Sequence, residues 1–132
     1  MMKNEFLNEK PLDIFVILAE TLNGWKSPNT VEGKKVLMEH YHWLADLKTN
    51  HQLLLAGPTD VDLITMNKFN PIGHTTGIIM LNTNSRQEAE ALAFKEPFHV
   101  QGYRKNTVCS MKITITAEAL NEAFEKTIIK HL

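Results

Sequence analysis

Apolar and polar positions follow two periods along this chain, and the switches between them mark out its elements. The run Leu12-Asp13-Ile14-Phe15-Val16-Ile17-Leu18-Ala19 is nearly unbroken and rich in β-branched residues, which predicts a strand buried on both faces. Asn23-Gly24 stops it, and a loop through Trp25, Ser27 and Pro28 follows. Over about 30–50 the period becomes helical. Val36, Leu37, His40, Leu44 and Leu47 share one stripe, while Lys35, Glu39, His42 and Asp46 lie opposite. Leu53-Leu54-Leu55-Ala56 predicts a second strand, ended by Gly57-Pro58 because proline cannot donate to a ladder. The stretch 59–74 has no clean period and is long for a connection, so a mobile loop bordering a pocket is expected there.

Gly77-Ile78-Ile79-Met80-Leu81 predicts a third strand, again apolar on both faces. Ser85 and Glu88 form a capping box that opens a helix running to about 95, and Pro97 ends it. From about 104 to 115 the pattern alternates, with Cys109, Met111, Ile113 and Ile115 on one side and Ser110, Lys112 and Thr114 on a wet face. Leu120, Ala123, Phe124 and Thr127 mark an amphipathic C-terminal helix over 117–132, and residues 1–10 read as a loose arm. The order β-α-β-β-α-β plus a terminal helix is the split βαβ of an α+β, ferredoxin-like fold, and we expect one domain over 1–132. Strands one and three are then central, and both crossover helices cover the same face of the sheet. The other apolar face calls for a second copy of the chain, with the terminal helix supplying part of the cover, so a homodimer is expected.

Charge and composition narrow the function. Fourteen basic and fifteen acidic side chains give a net charge of −1 with no basic cluster, which argues against a nucleic-acid partner. No run approaches the roughly 18 apolar residues of a membrane span, so no membrane partner is expected. The single cysteine, Cys109, cannot form an internal disulfide, and with no export signal a cytoplasmic location is expected.

The motifs then carry a family resemblance. His40, Leu44-Ala45-Asp46-Leu47 and His51-Gln52-Leu53-Leu54-Leu55-Ala56-Gly57-Pro58 resemble the YCII pattern of a helix histidine followed by a Gly-x-Leu-Leu-x-Ala-Gly-Pro ending. Glu88-Ala89-Glu90-Ala91, Glu96-Pro97-Phe98 and Gly102 resemble that family's second helix and Asp-Pro-Phe motif. The likeness spans about 14–115. Two positions depart from the pattern: His51 stands where the family usually has Gly, and Glu96 where it usually has Asp. The resemblance implies a dimeric α+β barrel related to muconolactone isomerases and to dehydrochlorinases of chlorinated aromatic breakdown products. It names no substrate.

His40 is the first candidate for chemistry. An imidazole on the core stripe of a helix must find a hydrogen-bond partner, and burial favours its neutral, basic form, which suits a general base. The competing reading is a structural histidine bonded to a backbone carbonyl. Glu96, beside Pro97, is the first candidate for its carboxylate partner, against a solvated helix-end acid. Asp60 and Asp62 resemble the acid that follows Ala-Gly-Pro in the family, against a turn-forming role. Trp25, Phe69, His74, Phe98 and Tyr103 are candidate pocket residues. No metal is expected, since His40 and His42 at i, i+2 cannot chelate together, and His40, His74 and His99 are the only trio to check. Cys109 reads as a small core residue. The expected function is a cofactor-independent enzyme, isomerase or dehydrochlorinase-like lyase, with a histidine base acting on a small organic acid or lactone. The alternative is a non-catalytic small-molecule binding or accessory module. A carboxylate holding His40 inside a pocket open to solvent favours the first.

Overall fold

The computed structural model describes residues 7, 11–60 and 70–129. In chain order these form β1 (Leu12–Thr21), α1 (Val31–Thr49), β2 (Leu53–Pro58), β3 (Thr75–Leu81), α2 (Arg86–Ala93), α3 (Pro97–Val100), β4 (Arg104–Ile113) and α4 (Glu118–Ile129). The strands make one sheet in the order β2-β3-β1-β4, with every neighbouring pair antiparallel. This is the expected ferredoxin-like α+β arrangement, with the two doubly apolar strands in the centre. No helix among the described residues is long and apolar enough to cross a membrane.

Local chemistry sets the ends of α1. The Thr30 hydroxyl accepts the Gly33 N–H at 3.0 Å, which satisfies one of the free donors of the first turn. Gly33 is required by contact: a Cβ there would lie 1.9 Å from the Ser27 carbonyl oxygen, so only glycine lets the preceding loop fold back on the helix. Val36, His40 and Leu47 of the expected stripe are buried, and Leu37 and Leu44 are half-buried beside them.

The sheet carries an apolar cluster on each face. Ile17, Ile79, Leu81 and Val108 pack with Leu47 of α1 and with Ala89 and Ala93 of α2. The alanines let α2 approach the sheet closely. Ile14, Val16 and Ile113 pack on the opposite face with Leu18, Ile78, Met80 and, from α4, Phe124. Burying each of the large aliphatic side chains contributes about 1.5–3 kcal/mol, so both faces matter to stability.

Three local expectations are corrected. β2 does not end at Ala56 but pairs on through Gly57 and Pro58 opposite Ile78 and Gly77. It is an edge strand, so proline's missing N–H costs no ladder bond. Pro97 does not simply end a helix. α2 closes at Ala93, and Pro97 occupies the first turn of the short α3. Nor does β4 keep one wet face throughout. Arg104, Asn106 and Val108 are buried in its first half, beneath the helices, whereas Ile113 on the other side is buried further along.

Candidate active site

The site is built around Glu96. With Pro97 in the first turn of α3, the preceding residue becomes the N-cap, and an acidic side chain there finds free backbone donors. Glu96 Oε2 accepts the Phe98 N–H at 2.6 Å, and Oε1 accepts the His99 N–H at 3.3 Å. From β4, Asn106 Nδ2 donates to Oε1 at 3.0 Å and to the Ala93 carbonyl at 2.8 Å. From α1, His40 Nδ1 lies 3.0 Å from Oε2. Glu96 is only 1% exposed, and that burial opposes its charge. The His40 contact, the Asn106 amide and the Phe98 N–H outweigh it and hold the carboxyl below its usual range.

An ionised carboxylate can only accept, so His40 Nδ1 carries a proton in this contact, and in the neutral ring the lone pair lies on Nε2. The ring is buried, 4.8 Å from the Phe98 ring centroid and stacked on Trp43 at 6.1 Å. His40 lines a pocket of about 150 Å³ whose walls come from Leu37, Tyr41 and Leu44 of α1, Pro58 of β2, Ile79 of β3 and Phe98. Ala56, Gly57, Gly77 and Arg104 also line it. Among the described residues no hydrogen-bond partner takes Nε2, and it is not among the sealed, unpaired side-chain atoms. A desolvated base with a fixed tautomer on the wall of an apolar pocket can take a proton from a bound carbon acid.

The structure thus brings together His40, Glu96 and Phe98 from among the candidates. Trp25 and Tyr103 stand behind the pocket, packed on Phe98 with ring centroids 5.4 and 6.2 Å away. His74 is exposed in the turn before β3 and does not line the pocket. Asp60 has a left-handed backbone, φ 53°, beyond the end of β2. It neither lines the pocket nor bonds His40, whose Nδ1 is taken by Glu96. Asp62, Phe69 and most of the connection 59–74 lie outside the described residues. Among the described residues no three His, Cys, Asp or Glu side chains gather as a metal site, so His40, His74 and His99 do not meet. Cys109 is a free, half-buried thiol in the apolar cluster of Ile14 and Val16.

Two polar residues of the site were not among the candidates. Asn106, 3% exposed, ties Glu96 to α2. Arg104, 8% exposed, places its guanidinium over the Phe98 ring at 4.4 Å and the Trp25 ring at 5.2 Å. Both stand on the same side of β4 as Val108, two and four residues before it. The apolar Val108 on that otherwise polar side was the available signal.

Comparison with known proteins bears on the fold and family. Residues 16–112 match the profile of the YCII-related domain. Curated proteins give no match. The structure is similar to that of 5-chloro-2-hydroxyhydroquinone dehydrochlorinase (TftG) from Burkholderia phenoliruptrix AC1100, solved in complex with 2,5-dihydroxybenzoquinone. The TM-score is 0.51 and the identity 18%, over 73% of this chain and 90% of that one. At that identity the likeness speaks to the fold.

Proposed function

This chain belongs to the YCII-related family, and from that premise we propose that it is a cofactor-independent enzyme in which His40, oriented by Glu96, is the general base for a proton shift or an elimination on a small, partly apolar organic acid or lactone. The observation that carries this reading is the 3.0 Å contact of His40 Nδ1 with Glu96 Oε2 on the wall of an open pocket. The carboxylate holds the ring in one tautomer and stabilises the imidazolium that forms when Nε2 takes a proton. Such a step needs a positioned base and a polarising donor, and no cofactor. The structural likeness to a dehydrochlorinase adds chlorinated hydroquinones to the compounds worth offering. A homodimer in the cytoplasm goes with this reading, because the sheet face of Leu18, Ile78 and Met80 is only half-buried and Cys109 is a free thiol.

The test is solvent deuterium exchange, followed by NMR, into a panel of small lactones, keto acids and hydroxyquinones. The expected result is enzyme-dependent exchange in at least one compound, reduced by about 10²–10⁴-fold in His40→Ala. Saturable binding without exchange by the parent would instead assign the pocket to a binding module. Equal exchange by parent and His40→Ala would remove His40 as the base.

A further inference from the structure

We propose that Arg104 is an anion anchor in the pocket of His40, so that the ligand is an acid of about one ring's size that binds through its carboxylate or an equivalent pair of anionic oxygens. The proposal rests on the pocket reading above and narrows it, choosing the acid over the neutral lactone. It starts from a buried cation, the Arg104 guanidinium, that forms no ion pair among the described residues. Its Nε has no hydrogen-bond partner. Among the described residues what holds it is the faces of Phe98 and Trp25, contacts that favour a cation and use none of its N–H donors.

Glu96 is the obvious partner and is already occupied. A carboxylate offers about four acceptor positions, and here they meet His40, Phe98, His99 and Asn106. Glu96 acts on Arg104 through its field and helps keep it charged, as does Tyr41, but burial is the larger influence and lowers the guanidinium's pKa. A buried charge left this way costs stability unless something else supplies the partner. The backbone makes room for the guanidinium, since a Cβ on Gly77 would lie 3.1 Å from Arg104 Nη1. Beside Arg104 the wall is apolar, from Leu37, Leu44 and Ile79. A volume of about 150 Å³ is of the order that holds a benzene ring. An apolar body with one planar anionic end fits this arrangement, because a guanidinium fork matches two oxygens.

The experiment compares benzoate with its neutral isostere benzamide, by calorimetry and by thermal shift, which rises with ligand by mass action. The parent is expected to bind benzoate at least ~10-fold more tightly than benzamide, about 1.4 kcal/mol. Arg104→Met should abolish that preference. Arg104→Lys, which keeps the charge if the methionine variant does not fold, should weaken benzoate by about 5-fold and leave benzamide unchanged, because the fork is lost. His40→Ala should keep the preference for benzoate, so loss of the base and loss of the anchor are read separately. Equal affinity for the two ligands, no saturable binding of benzoate, or a preference that survives Arg104→Met would overturn the proposal.

Discussion

Glu96→Gln isolates what the buried carboxylate contributes, because the amide keeps its shape while one acceptor becomes a donor. In the parent all four surrounding groups donate: His40 and Phe98 to Oε2, His99 and Asn106 to Oε1. Whichever way the amide turns, its NH₂ faces two of them. Placed at Oε2, it lets His40 change tautomer and accept, but it strands the Phe98 N–H that stood at 2.6 Å. Placed at Oε1, it strands the His99 and Asn106 donors. One or two buried donors without acceptors, at about 1–3 kcal/mol each, give a loss of about 1–6 kcal/mol. For a chain of 132 residues, at ~2.1 cal/mol/K per residue, that lowers Tm by roughly 4–22 °C.

The pH dependence is specific to the carboxylate. Its folded pKa lies below the ordinary 4.5, so the stabilisation from the ionised form is fully present above the unfolded value and is lost as pH falls through the folded one. The difference between parent and Glu96→Gln should shrink in acid, as pH falls through the folded value and the parent's carboxyl protonates. Urea melts of both proteins from neutral pH into acid measure it directly. A loss under about 0.5 kcal/mol at neutral pH, within the range of an ordinary surface substitution, or a difference that stays flat into acid, would refute the reasoning.

The remaining predictions concern assembly and backbone contact. The half-buried Leu18, Ile78 and Met80 with the 44% exposed Met111 should make this face a dimer interface. Sedimentation should therefore give a dimer for the parent and a monomer for Ile78→Glu, and a parent monomer at micromolar concentration would end that reading. Gly33→Ala gains about 1 kcal/mol of helix propensity but places a methyl 1.9 Å from the Ser27 carbonyl. The backbone clash should win and cost about 2 kcal/mol net in chemical denaturation, whereas a variant as stable as the parent would mean the loop is not pinned to α1.

Most of the fold was legible because periodicity and caps act locally. The stripe through Val36, His40 and Leu47, the capping Ser85 and the doubly apolar β1 and β3 each announce their surroundings within a few residues. Gly57-Pro58 was misread because a proline's effect on a ladder depends on which side of the strand has a neighbour, and β2 has only β3. Within the site, His40 and Glu96 were legible as an imidazole on an apolar stripe and an acid ahead of a proline. Arg104 and Asn106 were not, because polar residues in an alternating strand look solvated. Here α2 and α3 cover the first half of β4 only, and that coverage is a tertiary fact.

Glu96 is one methylene longer than Asp, and that length separates two roles that the residue performs at once. Its backbone is extended at the N-cap, φ −64° and ψ 130°, so the side chain turns back over α3 and meets two N–H groups before it reaches His40. Glu96→Asp should keep most of the capping, since Asp is among the best N-cap residues, and cost no more than about 1 kcal/mol of stability. The shorter side chain should withdraw from His40 Nδ1, however, because in this chain α1 and α3 are spaced for the longer reach that brings Oε2 to 3.0 Å. A hydrogen bond weakens steeply when drawn beyond about 3.5 Å, and the ring then loses its fixed tautomer. Deuterium exchange should fall by about 10-fold or more while the melting curve barely moves. A Glu96→Asp protein that is as unstable as Glu96→Gln would show that capping needs the longer side chain. One that exchanges at the parent's rate would show that orientation of His40 by this carboxylate does not limit the reaction.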